Sequence, residues 1–368
     1  MSNESSTVAV LGGGQLGRML GLAGVAQGLS FRFLDPSPDA PAAAVGALVT
    51  GALDSVVGLD EVARGAGVVT YEWEGVPADS ARHLARTHRV APGIRALEVS
   101  QDRAAEKTLF RSLDIPTARF VTVDTLGELA SAIPEYGLPA VLKTRRGGYD
   151  GKGQYVLRTA ADVEPAWAQL GGVPLILESF VPFRRELSIV AVRAADGTTA
   201  CWPVVENEHR DGILRVTRAP APGCTPALQA AAESHAIAVL DALEFVGVGC
   251  VELFETDDAL LANELAPRVH NSGHWTIEGA QTSQFENHLR AILGRPLGST
   301  APIGVAAMVN CLGSMPDPAA VLAIEGAHLH DYGKAARPGR KVGHVTVTAA
   351  DESALAPRLA ALLIVIDD

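Results

Sequence analysis

The sequence lacks the features that mark secreted, membrane-spanning and zinc-stapled proteins. Its four cysteines, Cys201, Cys224, Cys250 and Cys311, lie far apart and form no CxxC pair, so buried free thiols are expected rather than a zinc ribbon or a redox dithiol. The amino-terminal stretch has no basic segment followed by a long apolar one, and no apolar run approaches the roughly 18 residues of a spanning helix. These absences predict a cytoplasmic protein without a membrane partner.

An excess of positive charge is also lacking. The 368 residues carry a formal net charge of −12, which disfavours non-specific attraction to nucleic acid and requires any anion site to be a local basic cluster. With 48% hydrophobic and 20% charged residues, a chain of this length can bury a sizeable core. The composition predicts an ordinary globular protein of two or three domains.

Short apolar strands alternate with helical segments in the first hundred residues. Strands are predicted at 7–11, 31–34, 47–49 and 68–70, and a helix follows the first of them. This alternation predicts a small open parallel sheet with crossover helices. After Gln101 the pattern changes to a polar helix, followed by strands at 120–123, 140–143, 154–157, 175–178, 186–192, 200–206, 247–254 and 260–265.

A glycine loop follows the first predicted strand. Gly12, Gly14 and Gly17 match G-x-G-x-x-G between strand and helix, where bare amides and the helix dipole favour a phosphate group. Asp35 stands after the second strand, where a dinucleotide fold places a ribose-binding acid. The motif leaves three alternatives open: a nicotinamide or flavin site, a site for another phosphate-bearing ligand, or a purely structural turn.

A second glycine-rich loop, KTRRGGYDGKGQ at 143–154, lies between two predicted strands and is expected to form a mobile hairpin tip. It is not a Walker A sequence, because Gly147 and Gly151 enclose three residues and Gly153 follows Lys152. Such a loop can fold over a polyphosphate and exclude water from it. The alternative is a solvated basic turn.

Two glutamates, Glu252 and Glu264, stand among apolar residues on either side of a turn at Asp257 and Asp258. A hairpin centred on that turn places them almost opposite each other. Two such carboxylates repel unless one is protonated or a cation lies between them. Oxygen ligands with no Cys or His nearby suit magnesium, which bridges to nucleotide phosphates. The alternative is a register slip that exposes one glutamate.

Other polar residues are candidates for the same site. Asn263 either adds a metal or phosphate ligand or caps a turn. Glu178 ends a predicted strand, where an adenine amino group or ribose hydroxyls would suit its acceptor oxygens. Taken alone, Glu186 would simply balance Arg184 and Arg185.

Two loop segments hold the remaining candidates. The run APRVHNSGHW at 266–275 contains donors, a cation and two imidazoles, which predicts either an anion and substrate site or a polar loop that satisfies its own backbone. Near the end, Lys334, Arg337, Arg340 and Lys341 form a local basic cluster that either receives a phosphate or stays solvated.

Five blocks in this order, GGGQLGRML, KTRRGGYDGKGQ, DGILR, NELAPRVHNSGHWT and RPGRKVGH, resemble the 5-(carboxyamino)imidazole ribonucleotide synthetase family of ATP-grasp ligases. The resemblance implies an α/β fold, α+β in part, with three units. These are a Rossmann-like parallel-sheet (pre-ATP-grasp) domain at 1–99 that binds substrate, an ATP-grasp domain at 100–295 with a central mobile lid at about 115–190, and a small C-terminal segment at 296–368 that completes the substrate site.

The resemblance also implies ligand contacts. ATP would contact Arg103, Lys143, Gly148, Tyr149, Asp150, Gly151, Lys152, Gly153, Gln154, Glu178, Ser179, Phe180, Val181, Glu186, His209, Asn263 and Glu264. The ribonucleotide or bicarbonate would contact Gly14, Gln15, Leu16, Glu72, Tyr149, Asp150, Arg268, His270, Asn271, Ser272, Lys334, Arg340 and Lys341. Magnesium, with manganese as a substitute, would fall to Glu252 and Glu264. The SFVPFRRE stretch after Glu178 departs from the family pattern.

The implied reaction is the carboxylation of aminoimidazole ribonucleotide with bicarbonate and ATP in purine biosynthesis. Lys143 and Lys152 would neutralise charge moving between oxygens, Arg268 would hold the anion and His270 would shuttle a proton. The resemblance further implies a homodimer whose other partners are small molecules. The alternatives are a formate-using or biotin-type ATP-grasp ligase, a nucleotide-linked dehydrogenase and a catalytically silent nucleotide-binding module.

Overall fold

A parallel sheet forms the amino-terminal part of the protein. The computed structural model describes residues 6–148 and 152–367. Four strands, β1 (Thr7–Leu11), β2 (Ser30–Asp35), β3 (Ala47–Thr50) and β4 (Val68–Tyr71), lie in the order β3-β2-β1-β4 with all neighbours parallel. The helices of this part are α1 (Gln15–Val25), α2 (Val56–Ala63), α3 (Ala78–Leu84) and α4 (Ile94–Ser100). The predicted parallel sheet is confirmed.

Helix α1 packs closely on this sheet because its inner face combines apolar and small residues. Leu16, Met19 and Leu20 are buried at helical spacing. A Cβ atom at Gly24 would lie 2.4 Å from the ring of Phe31, so only glycine permits the approach. Because the helix begins at Gln15, directly after the glycine loop, its close packing also fixes that loop against the sheet.

A second, antiparallel sheet follows helix α5 (Arg103–Ser112), which begins at the side-chain cap of Asp102. Its strands are β5 (Phe120–Val123), β6 (Ala140–Thr144), β7 (Gln154–Leu157) and β8 (Leu175–Ser179), in the order β5-β8-β6-β7. Helices α6 (Leu126–Tyr136) and α7 (Val163–Leu170) pack against it. Because β6 and β7 pair antiparallel, the second glycine-rich loop connects a hairpin, as predicted.

A nine-stranded antiparallel sheet is the framework of the remaining described chain. Its strands are β9 (Arg185–Arg193), β10 (Thr199–Cys201), β11 (Val205–Arg210), β12 (Ile213–Ala219), β13 (Gly247–Glu255), β14 (Leu260–Ala266), β15 (Val305–Leu312), β16 (Ala327–Asp331) and β17 (Lys341–Ala349). The order is β14-β13-β9-β11-β12-β15-β17-β16, with β10 beside β9. The helices are α8 (Pro226–Ala242), α9 (Thr276–Gly279), α10 (Gln284–Ile292), α11 (Pro318–Leu322) and α12 (Glu352–Asp367). Strand β14 is thus an edge strand.

Two strand predictions were wrong in this sheet. The strand expected at 200–206 is two strands, β10 and β11, because Pro203 has no N–H for a ladder bond and Trp202 turns into the core, where its ring N–H donates to the carbonyl of Thr282 at 3.0 Å. Strand β12 was not foreseen, since its buried Arg215 interrupts the apolar pattern.

The largest core cluster joins the parallel sheet to the nine-stranded sheet. Val8 and Val10 of β1 and Val248 of β13 belong to this one cluster, together with Phe285 and Leu289 of α10. The four cysteines are free thiols, but only Cys250 and Cys311 are buried, whereas Cys201 and Cys224 are half-exposed. No helix among the described residues has both the length and the apolar character needed to cross a membrane.

Candidate active site

The two glutamates of the β13–β14 hairpin are paired in register, as predicted. Glu252 lies opposite Glu264, and the next pair joins Leu253 to Ala262, so Asn263 is the extra residue of a β-bulge. The predicted alternative, a register slip, is wrong. Glu264 is exposed and Glu252 half-buried; the surface that they share with Glu178 and Arg268 is called the cleft below. Desolvation and the charge of Glu252 raise the pKa of Glu264.

The assumption that no histidine lies near this pair was wrong. Nε2 of His270 lies 3.1 Å from Oε1 of Glu252. Its Nδ1 lies 2.8 Å from Oγ of Ser272, a fully buried residue whose hydroxyl orients the imidazole rather than facing a substrate. Burial opposes the charged imidazole, but contacts with Cys250 and Glu252 raise the pKa of His270 to about 10. A cation thus already faces one carboxylate.

Gln284 fixes the backbone of His270, a role that no sequence pattern indicated. The side-chain oxygen of Gln284 accepts from the His270 N–H at 2.8 Å, and its amide donates to the His270 carbonyl at 2.7 Å. The side chain thereby imitates a neighbouring strand. Gln284 is fully buried at the start of α10, where a helix-initiating glutamine carries no signal of such a role.

Arg268 is held by a residue that sequence reasoning missed. Its Nε donates to the carboxylate of Glu74, and the Gln101 side chain donates to the Glu74 carbonyl at 2.7 Å. Although burial opposes ionisation, Arg268 lowers the pKa of Glu74. The signal available was the spacing of Glu72 and Glu74 in YEWEGVP, which places both at the end of β4.

The amides of the first glycine loop are not bare, contrary to expectation. Gly14 and Gly17 donate their N–H groups to the two oxygens of Glu72, at 2.5 and 2.7 Å. Gly13 donates to the carboxylate of Asp35 at 2.8 Å. The carboxylate of Glu72 therefore occupies the helix terminus where a phosphate was predicted. Asp35, the predicted ribose-binding acid, binds the glycine loop instead. Desolvation raises the pKa of Glu72.

Residues from the two ends of the sequence meet beside this loop. The ammonium of Lys334 donates to the side-chain oxygen of Gln15. Desolvation, followed by the charge of Arg340, lowers the pKa of Lys334 to about 8. Lys341, the first residue of β17, contributes in the same direction. Leu16 is buried in the core and offers little surface to a ligand.

The predicted nucleotide residues gather around β6, β8, β9 and β11. Nζ of Lys143 lies 2.9 Å from Oε2 of Glu178. Oε1 of Glu178 is buried and has no hydrogen-bond partner among the described residues. Glu186 does not balance its neighbouring arginines, because its Oε2 lies 2.7 Å from Nδ1 of His209. A buried carboxylate oxygen without a partner indicates a missing donor.

The glycine-rich hairpin borders the same cleft. Arg103 donates to the carbonyls of Gly148 and Thr144, at 3.1 and 3.3 Å, and Gly153 accepts from the Thr144 N–H at 2.8 Å. Lys152 and Gln154 are exposed. Tyr149, Asp150 and Gly151 lie outside the described residues.

The remaining candidates follow Glu178 and His270 directly in the chain. Ser179 closes β8 with its N–H on the Arg119 carbonyl at 2.9 Å. Phe180 is exposed and Val181 half-buried. The side-chain amide of Asn271 is buried without a hydrogen-bond partner among the described residues. Among residues 6–148 and 152–367, no group of three or more Asp, Glu, His or Cys side chains is arranged to hold a metal ion without further ligands.

Family models match almost the whole chain. The ribonucleotide synthetase preATP-grasp domain matches residues 5–101, the ATP-grasp domain matches 108–285, and the phosphoribosylaminoimidazole carboxylase C-terminal domain matches 306–358.

Known proteins resemble the chain over nearly their full lengths. N5-carboxyaminoimidazole ribonucleotide synthase of Pseudomonas aeruginosa is 52% identical, over 96% of this chain and 97% of that protein. The crystal structure of the corresponding synthetase from Thermus thermophilus has a TM-score of 0.95 at 54% identity, covering 98% of this chain and 99% of that one. The Aspergillus clavatus synthase, solved with ADP and 5-aminoimidazole ribonucleotide, has a TM-score of 0.93 at 33% identity, covering 99% of both chains. The chain belongs to the N5-carboxyaminoimidazole ribonucleotide synthase family of ATP-grasp ligases.

Proposed function

We propose that the chain carboxylates 5-aminoimidazole ribonucleotide with bicarbonate and ATP, giving 5-(carboxyamino)imidazole ribonucleotide, ADP and phosphate in purine biosynthesis. The supporting observation is that one cleft brings together an unpartnered acceptor at Glu178, the carboxylate pair of the hairpin, and a cationic segment beginning at Arg268. The family membership agrees with this assignment. The family's ADP-bound and ribonucleotide-bound relatives support the same small-molecule ligands.

The nucleotide half of the proposal rests on Glu178 and its neighbours. Since Oε2 of Glu178 faces Lys143 and Oε1 has no partner among the described residues, Oε1 is suited to accept from the amino group of adenine. Glu186 and His209 would contact the nucleotide further along the cleft. The glycine-rich hairpin, with Lys152, would cover the phosphates and exclude water.

Glu252 and Glu264 fit a magnesium ion, with manganese as a substitute. Two facing carboxylates supply the hard oxygen ligands that magnesium prefers, and nucleotide phosphates and water commonly complete its shell. The raised pKa of Glu264 marks a pair that a cation would stabilise. When bound, the metal supplies positive charge for phosphoryl transfer.

The chemistry divides into two displacements. A bicarbonate oxygen attacks the γ-phosphorus of ATP and the bond to the β-phosphate oxygen breaks, which gives carboxyphosphate and ADP. Lys143 and Lys152 neutralise the charge that moves to the leaving oxygen. The exocyclic amine then attacks the carboxyl carbon, or carbon dioxide released from it, so that phosphate leaves and an N–C bond forms. Arg268 holds the anion. His270, which is protonated beside Glu252, gives its proton to the departing phosphate and then takes up the amine proton.

The ribonucleotide would bind between the ends of the chain. Gln15, Lys334, Arg340 and Lys341 supply donors for its phosphate, while Glu72 and the unpartnered amide of Asn271 suit the ribose and base. The contact of Glu72 with the glycine loop agrees with this role, because each carboxylate oxygen can accept from a ribose hydroxyl as well as from a loop amide.

We also propose the three units at 1–99, 100–295 and 296–368, a mobile lid at about 115–190, and a cytoplasmic homodimer without nucleic-acid or membrane partners. The net charge of −12 supports the absence of such partners. Light scattering after size-exclusion chromatography measures the oligomeric state.

The proposal is tested by ADP release from purified protein with magnesium and ATP, adding bicarbonate and 5-aminoimidazole ribonucleotide separately and together. We expect strong stimulation only when the ribonucleotide is present. ATP binding without stimulation by any substrate pair would leave the fold assignment intact and refute the reaction.

A further inference from the structure

The outer edge of β14 is covered by side chains rather than by another long strand. Strand β14 ends the nine-stranded sheet, so backbone groups on its outer side need other partners. The N–H of Ala262 donates to the Pro116 carbonyl at 2.7 Å, and Oγ1 of Thr117 donates to the Ala262 carbonyl at 2.8 Å. The next backbone groups along this edge flank Glu264.

Two consecutive residues of α5 bind the backbone on both sides of Glu264. The carboxylate of Glu106 accepts from the Leu265 N–H at 2.6 Å. The ammonium of Lys107 donates to the Asn263 carbonyl at 3.2 Å. Because Asn263 is the extra residue of the bulge, the ladder to β13 alone does not fix this turn of backbone. Glu106 and Lys107 supply the missing constraint.

Lys107 also reaches the nucleotide half of the cleft. Its Nζ lies 3.5 Å from Oε2 of Glu178 and 3.4 Å from Oγ1 of Thr117. With the Asn263 carbonyl, these contacts match the three donors of an ammonium group. The side chain is 2% exposed, and burying a charge at such a position is costly unless every donor has a partner.

We propose that Glu106 and Lys107 are positioning residues of the catalytic cleft, which hold Glu264 in place and tie it to Glu178. The inference rests on the proposed nucleotide and magnesium site. Neither residue needs to touch a ligand. Lys107 sets the separation between the carboxylate that faces adenine and the carboxylate that faces the metal, while occupying Oε2 of Glu178 so that only Oε1 remains for the base.

The decisive variants are Lys107→Met, which keeps the length of the side chain without its charge, and Leu109→Ala as the control. Leu109 is buried on the same helix and contributes to packing without reaching either glutamate. For Lys107→Met we expect kcat/KM for ATP to fall about 10- to 100-fold, as for other residues that orient metal ligands. We expect the magnesium concentration for half-maximal rate to rise, and KM for the ribonucleotide to stay within about threefold. Leu109→Ala lowers the unfolding temperature without this split.

A second pair of variants, at Glu106, tests the contact with the Leu265 backbone separately from the contacts of Lys107. Glu106→Gln keeps an oxygen for the Leu265 N–H and retains activity within about threefold, whereas Glu106→Leu leaves that N–H unsatisfied and loses about tenfold or more. This comparison remains decisive if Lys107→Met does not fold.

The outcomes distinguish this inference from the proposed function. Failure of the wild-type protein to release ADP with the ribonucleotide contradicts the function itself. With an active wild type, two results would overturn the positioning role. One is a KM for the ribonucleotide that rises as much as KM for ATP in Lys107→Met, and the other is the same loss of activity in Glu106→Gln and Glu106→Leu.

Discussion

Replacing Glu264 by glutamine has opposite expected effects on stability and on ligand binding. The substitution keeps the shape of the side chain and removes one of two facing carboxylates. Residues opposite each other on antiparallel strands have Cβ atoms about 5 Å apart, and two charges at such a distance in a solvated cleft repel by about 1 kcal/mol or less. The ligand-free variant should therefore unfold at the same temperature as the wild type or about 1–2 °C higher.

With magnesium ADP bound, the wild type is expected to be more stable than Glu264→Gln. At a concentration about 100 times its Kd, magnesium ADP stabilises the wild type by about 2.7 kcal/mol. A roughly 100-fold weaker Kd in Glu264→Gln reduces this gain to about 0.4 kcal/mol. Thermal unfolding with and without magnesium ADP measures both quantities, and ribonucleotide-dependent ADP release should fall at least about 100-fold.

Asp258→Asn is the matched control, because it removes one negative charge from the exposed turn of the same hairpin and should leave the nucleotide shift unchanged. The reasoning is refuted if ligand-free Glu264→Gln is clearly less stable than the wild type. A full magnesium ADP shift in that variant would equally exclude Glu264 as a metal ligand.

Three further predictions concern the substrate half of the cleft. Glu74→Gln should lower kcat/KM for the ribonucleotide about 10-fold or more by releasing Arg268. Because the pKa of Glu74 is lowered in the fold, the stability that its carboxylate contributes is present above the unfolded pKa and is lost as pH falls through the folded pKa. The loss of stability with falling pH should therefore be less steep in the variant. In the wild type, kcat/KM for the ribonucleotide should decline above pH of about 8 as Lys334 loses its proton, and Lys334→Arg should shift that decline upward; an unchanged profile would contradict the role of Lys334. Gln284→Met removes both bonds to the His270 backbone and should reduce kcat about 10-fold, whereas a variant with wild-type kcat would show that His270 needs no such support.

The facing glutamates could be predicted from sequence because a hairpin is symmetric about its turn. A turn near Asp258 places Glu252 and Glu264 almost opposite each other. In the structure the pairs next to the turn are centred between Asp257 and Asp258, and the one-residue bulge at Asn263 brings the two glutamates into register. The proximity of His270 to Glu252 could not be foreseen in the same way. It depends on how the chain folds back after β14, which Gln284 fixes from 14 residues further on.

The glycine loop shows a second limit of sequence reasoning. A motif gives the local backbone and therefore the presence of donors, and those donors do exist at Gly14 and Gly17. It does not specify the acceptor, which is Glu72, 58 residues beyond Gly14. The missed strand β12 has a related cause, since its buried Arg215 donates to the Asn310 carbonyl and pairs with the carboxylate of Asp367, both far along the chain.

The contact between Gln15 and Lys334, 319 positions apart, has a consequence for the order in which the protein matures on the ribosome. The nucleotide cleft is complete in sequence once β14 and the loop after it have been translated. The phosphate end of the ribonucleotide site is not complete until Lys341 has left the exit tunnel. A nascent chain could therefore be stabilised by nucleotide well before ribonucleotide can bind it.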